Sequence, residues 1–193
     1  MISNLRDRRR KQTAKEIQLA TLRLCLEFGY AAVTTDSIAA AAGISPRTFF
    51  NYYPNKQAAV LGPPPTLDCC AADWIVSSNA PLIADLTRLL GHMLQVKEMD
   101  RRSVRMIEQI WDSTPELMAM FRNSMDNIAL TIAELLQRRF GPEQEAVAML
   151  IAELATHSLF HAVRTWAADE TMTEDDISRM IDQQLRQVGA LLN

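Results

Sequence analysis

Arg47, Thr48 and Asn51 stand close together in the segment P-R-T-F-F-N-Y-Y, residues 46–53. These are side chains that read base edges: Arg can pair bidentately with guanine, Asn with adenine, and Thr or Phe can touch a thymine methyl. If the segment is helical, Phe49 and Tyr53 lie about 40° apart on the wheel and face a core. Arg47, Thr48 and Asn51 then take the opposite side, flanked by Phe50 and Tyr52. A short helix with that face fits a DNA major groove. Candidate phosphate contacts surround it: Thr35 and Ser45 at helix starts, and Lys56 beside Asn55. Upstream, Arg6, Arg8, Arg9, Arg10 and Lys11 form a basic arm. Such an arm adds a salt-sensitive, sequence-blind attraction; a disordered solubilising tail has the same composition.

The elements that must position these residues are helices. Apolar residues recur at three- and four-residue spacing, few segments alternate with period two, and only six glycines and eight prolines punctuate 193 residues. A first helix is expected from about Arg9 to Glu27, burying Ile17, Ala20, Leu24 and Phe28 and stopped by Gly29. Thr34-Thr35 caps a second, Asp36 to Ala42, which Gly43 ends. Ser45-Pro46 starts a third, because Ser accepts a free amide and Pro at the first helical position loses nothing. Asn55 caps a fourth from Lys56, cut short at Gly62-Pro63-Pro64-Pro65. Two short helices joined at Gly43-Ile44 have the form of a helix-turn-helix. Beyond the prolines, helices are expected near 68–78, 81–98, 100–112, 115–139, 143–168 and 174–191. The fold class is all-α: a three-helix helix-turn-helix head over residues 1–56 and a larger helical body over 57–193.

Charge follows the same division. The whole chain carries −3, which argues against a nucleic-acid partner if taken as one number. Residues 1–56 hold nine Lys and Arg against four Asp and Glu, a net +5, and the remainder is net −8. Basic binding module and acidic body are thereby separated. No apolar run approaches the roughly 18 residues of a membrane helix. The basic N-terminus has no apolar stretch and cleavage site behind it. Three cysteines, two of them adjacent, make neither a disulfide framework nor a metal site. A cytoplasmic protein is expected.

The motif I-Q-L-A-T-L-R-L-C-L-E-F-G-Y, then T-T-D-S-I-A-A-A-A-G-I-S, then P-R-T-F-F-N-Y-Y-P-N-K, resembles the N-terminal pattern of the TetR family of transcriptional regulators. The likeness covers about Lys15 to Leu61 in correct order and spacing. Thr21, Cys25 and Phe50 depart from the residues more frequent there, and the early proline run is unusual. The resemblance implies operator DNA and a small-molecule effector as partners. It also implies a homodimer through the last two long helices, about 143–168 and 174–191, and an effector cavity in the body.

For that cavity, Met106, Trp111, Phe121 and Met125 are the candidates, since methionine adapts to irregular ligand shapes; the same stripe also serves as ordinary core. Glu153, His157 and His161 recur every four residues. Such pairs can hold zinc, but a histidine buried in the core or at a dimer interface is the preferred reading, and no metal or cofactor is expected. No nucleophile-base pair or phosphate loop stands out, so an enzyme is not expected. The leading reading is a repressor released by a small apolar or amphipathic effector. An activator or effector-independent regulator of the same fold, and a helical ligand-binding or enzymatic protein, remain as alternatives.

Overall fold

The computed structural model describes residues 2–63, 67–96 and 100–192, and every regular element among them is helical. In order these are α1 (Ile2–Phe28), a 3-10 turn (Tyr30–Ala32), α2 (Thr35–Ala41), α3 (Pro46–Phe50) and α4 (Lys56–Leu61). They continue with α5 (Cys69–Ala72), α6 (Trp74–Ser77), α7 (Leu82–Val96), α8 (Arg101–Trp111) and α9 (Pro115–Phe140). A second 3-10 turn (Pro142–Gln144), α10 (Glu145–Ala168) and α11 (Glu174–Leu191) close the chain. The all-α class stands. Of the proline run, only Pro63 lies within the described residues. The chain forms two compact units, Met1–Pro64 with Arg102–Phe121, and Pro65–Arg101 with Arg122–Asn193. Within the first, α4 packs on α1, and residues 102–121 group with the N-terminal helices.

In the first unit, α1 begins seven residues earlier than Arg9, so the basic residues of the arm are helical and exposed. Its buried face is Ile17, Thr21, Leu22 and Cys25. Phe28, expected in the core, is 59% exposed, because it falls at the last turn, after the face that α2 and α4 cover. Ile38, Ala39, Phe49, Tyr53, Ala59 and Val60 complete this core. Gln18 crosses it, its amide donating to the Val60 carbonyl at 3.1 Å. At Gly62 the backbone turns with φ 73°, and a Cβ there would stand 2.5 Å from the Gln18 amide nitrogen. Only glycine ends α4 in this way.

The second unit is organised by α10. Ala148, Ala152, Ala155, Leu159, Ala162 and Trp166 form its buried face, and the four alanines let α11 and α7 approach. Pro142–Ala168 is apolar enough, as a window, to satisfy the length and composition of a membrane span, contrary to the expectation that no stretch comes close. Here part of that apolar surface is spent on packing. The expected helix at 68–78 is broken into α5 and α6 at Asp73. Two arginines tie the loops down. Arg139 donates to the carbonyls of Ile75 (3.3 Å) and Ala80 (2.8 Å) and to Asp85 Oδ2 (2.7 Å). Arg101 lies over the Trp166 ring and donates to the carbonyls of Asp169 and Met172, both at 2.6 Å.

The Arg139–Asp85 side chains are 13% and 5% exposed, whereas those of Arg138 and Asp73, paired at 2.7 Å, are each 56% exposed. Removing one member of a buried pair strands the other charge, at a cost of about 3–5 kcal/mol, while an exposed pair is worth about 0–1 kcal/mol. Urea unfolding should therefore show Asp85→Ala losing several kcal/mol and Asp73→Ala almost nothing. Equal, small losses would mean that Arg139 is held by the carbonyls alone.

Candidate nucleic-acid interface

The α2–turn–α3 segment is built from strong local signals. Thr34 rather than Thr35 caps α2: its side chain accepts from the Ser37 amide at 3.1 Å, and Ser37 Oγ accepts from the Thr34 amide at 3.0 Å. Thr35 is the first helical residue and half-buried. Gly43, with φ 67°, makes the turn. Ser45 then caps α3, accepting from the Thr48 amide at 3.1 Å and pairing with the Thr48 hydroxyl at 2.8 Å, with Pro46 in the first turn. Thr48 is thus held to its cap and half-buried.

α3 is shorter than the sequence suggested. It ends at Phe50, Asn51 is its C-cap, and Tyr52 and Tyr53 lie beyond it. The sidedness nevertheless matches the wheel. Phe49 is fully buried and Tyr53 nearly so, whereas Arg47, Phe50 and Asn51 are exposed. Phe50 meets Phe49 edge-on at 5.4 Å between ring centres. Tyr53 is fastened to α1 by its hydroxyl, which donates to the Ala14 carbonyl at 3.0 Å; burial pushes this phenol up to about 12. Tyr52 is half-buried, with the Arg10 guanidinium 6.0 Å from its ring centre. The basic end of α1 therefore stands beside the residues that follow α3. One face of one unit presents Arg47, Phe50 and Asn51, with an arginine-rich helix next to it.

Lys56 turns its ammonium toward the chain. Its ammonium donates to the carbonyls of Tyr30 (2.8 Å) and Val33 (3.0 Å) and lies 4.2 Å from the Tyr30 ring centre. It caps the 3-10 turn from inside. Tyr30 is pushed up to about 12, by burial first and then by Glu116 and Cys25. Cys25 is raised to about 11 by burial, partly offset by Lys56. Sequence spacing could not reveal this inward role, which needs the partners 23 and 26 residues away.

Of the effector candidates, Met106 and Trp111 are buried, and Trp111 meets Phe121 at 4.6 Å between ring centres. These three belong to the first unit; Met125, half-buried, belongs to the second. His157 and His161 are both exposed, so the core reading for them does not hold. Among the described residues no group of three or more His, Cys, Asp or Glu side chains is arranged to hold a metal.

Lys56→Met should destabilise the chain by about 1.5–3 kcal/mol, as two hydrogen bonds from a charged donor disappear. Chemical unfolding reads this directly. An unchanged midpoint together with a flatter salt dependence of DNA binding would instead return the ammonium to a phosphate.

Residues 17–61 match the bacterial regulatory proteins of the tetR family. Over 145 residues the chain is 25% identical to the HTH-type transcriptional regulator TcmR of Streptomyces glaucescens, covering 71% of this chain and 64% of TcmR. Over 180 residues it is 28% identical to MftR of Mycobacterium tuberculosis, by name a mycofactocin biosynthesis transcriptional regulator, covering 86% and 85% of the two chains. The fold is shared with a TetR-family protein from Mesorhizobium loti (TM-score 0.56, 18% identity, 95% and 98% coverage). It is shared also with NalD of Pseudomonas aeruginosa (TM-score 0.54, 20% identity, 92% and 96% coverage). Residues 17–61 thus carry the tetR-family pattern on helix-turn-helix geometry, and the chain as a whole shares the fold of these TetR-type structures.

Proposed function

We propose that the protein is a cytoplasmic repressor that binds a roughly palindromic operator as a homodimer and leaves it when a small apolar or amphipathic effector binds. Residues 1–56 of each copy form the DNA-reading domain, and 57–193 the effector-binding and dimerisation domain. The observation that carries the reading is the exposed face of α3. Arg47, Phe50 and Asn51 project from a capped helix whose opposite side is fixed by buried Phe49. Arg47 and Asn51 read base edges, Phe50 and Thr48 contact thymine methyl groups, and Thr35, Ser45 and Tyr52 hold the backbone of the operator. The arginines at the start of α1 add phosphate contacts.

The effector site is assigned to Met106, Trp111 and Phe121 of the first unit. The Trp111–Phe121 ring contact, and buried Met106 on the same helix as Trp111, favour an apolar or aromatic ligand. NalD, which has this fold, is described as a secondary repressor of a multidrug efflux pump, and that description is consistent with a repressor here. Dimerisation is assigned to α10 and α11. On α10, Val147, Leu150 and Leu154 are 46%, 65% and 37% exposed. Their three- and four-residue spacing is that of a helix-packing seam.

Fluorescence anisotropy with operator and scrambled DNA tests the reading of bases. Arg47→Ala should lose about 1–3 kcal/mol on operator and relax sequence preference; equal losses on both DNAs would remove its base-reading role. Leu150→Glu should yield folded monomers by sedimentation and weaken operator binding. A Leu150→Glu dimer as tight as wild type would place the interface elsewhere.

A further inference from the structure

On α10 the exposed seam does not end with leucine. Val147, Leu150, Leu154, His157 and His161 follow at spacings of three, four, three and four, and all five are exposed. The last two are imidazoles one helical turn apart. Residues at i and i+4 bring their Cβ atoms to about 6 Å on one face, and two histidines at that spacing chelate one zinc-class ion.

A ligand imidazole must offer a bare nitrogen. His157 Nδ1 lies 2.9 Å from the Glu153 carbonyl oxygen. A carbonyl only accepts, so Nδ1 carries the proton and Nε2 is bare. His161 Nδ1 lies 2.8 Å from the side-chain amide of Gln184 on α11. Turning that amide end for end puts its oxygen against Nδ1, leaves the shape unchanged, and again frees Nε2. Metal-binding histidines are held in this way, the far nitrogen donating to a carbonyl or carboxylate. Glu153, exposed one turn before His157, adds negative charge beside the pair.

We propose that His157 and His161 form a two-imidazole site for a divalent transition-metal ion of the zinc, nickel or copper class, with Gln184 as a positioning residue. The chain supplies two ligands and water completes the shell, since no third His, Cys, Asp or Glu side chain joins them among the described residues. Imidazole nitrogens select these metals over magnesium or calcium, which prefer oxygen. The site requires neither operator binding nor the effector but lies on the seam proposed for dimerisation, so uptake is measured on Leu150→Glu beside wild type, and uptake by that variant alone would show that the second copy covers the pair.

The untagged full-length chain is titrated with Ni²⁺ or Zn²⁺ against a chromophoric competitor chelator. Wild type should take up one ion per chain saturably, and Mg²⁺ should not compete. His157→Ala and His161→Ala should each weaken uptake by at least about tenfold, as should Gln184→Ala. Gln184→Glu should restore binding, because a carboxylate still accepts from Nδ1. His92→Ala, which changes the remaining histidine, should leave binding as in wild type. With Cu²⁺, nitrogen hyperfine structure should report two imidazoles in wild type and one in either single variant. No saturable uptake by either wild type or Leu150→Glu, or His157→Ala binding as tightly as wild type, overturns the site. Circular dichroism of the variants, all at positions not fully buried, confirms that they remain folded.

Discussion

A helix of five residues such as α3 has no stability of its own in water, where helices shorter than about 12 residues are marginal. Its presence rests on what surrounds it, and chiefly on the complete burial of Phe49. Burying one such side chain contributes about 1.5–3 kcal/mol, and the Ser45 cap about 1 kcal/mol more. Tyr53 fastens the exit from α3 to α1 through the Ala14 carbonyl, and Lys56 holds the chain before α2 through Tyr30 and Val33. Because the inward residues supply the stability, the outward ones are free of structural duty. Arg47 and Asn51 are then available for the base contacts proposed above.

The second unit meets a related constraint with different chemistry. Its loops expose carbonyls at the ends of helices, and each of two arginines satisfies a pair of them. Arg139 serves Ile75 and Ala80, and Arg101 serves Asp169 and Met172. A guanidinium suits this work because it carries five donors in a rigid fork. Asp85 balances the more buried of the two. The alanine-lined face of α10 packs against α11 and α7, while a second apolar face runs through Val147, Leu150 and Leu154. This double use explains why the segment reads as apolar as a membrane span.

Much of the head was legible because its signals are local. Gly29, Gly43 and Gly62 all adopt positive φ at helix ends, and Ser45-Pro46 and Asn55 cap where they were expected to. What escaped depends on distant partners. The early start of α1 was hidden because its first turns are polar and carry no apolar period. Phe28 has the right spacing for the core but lies past the last covered turn. The inward turn of Lys56 depends on Tyr30 and Val33, and the grouping of residues 102–121 with the head depends on contacts across the sequence. The two faces of α10 confounded each other: one apolar period cannot announce both a core and a seam.

That grouping bears on how the effector proposed above would reach α3. If the signal had to pass along the chain from body to head, the break at Gly62 and Pro63 would interrupt it, since α4 ends there. Met106, Trp111 and Phe121 instead belong to the same compact unit as α1, α2 and α3. Within that unit, Glu116, at the start of α9, acts electrostatically on Tyr30, whose carbonyl Lys56 holds. A ligand that moved the Trp111–Phe121 pair would therefore act inside the unit that carries Arg47. Packed elements shift between discrete arrangements rather than deforming smoothly. A displacement of α8 and the start of α9 by the proposed effector would then arise within the unit that holds α3, on the same side of the break at Gly62.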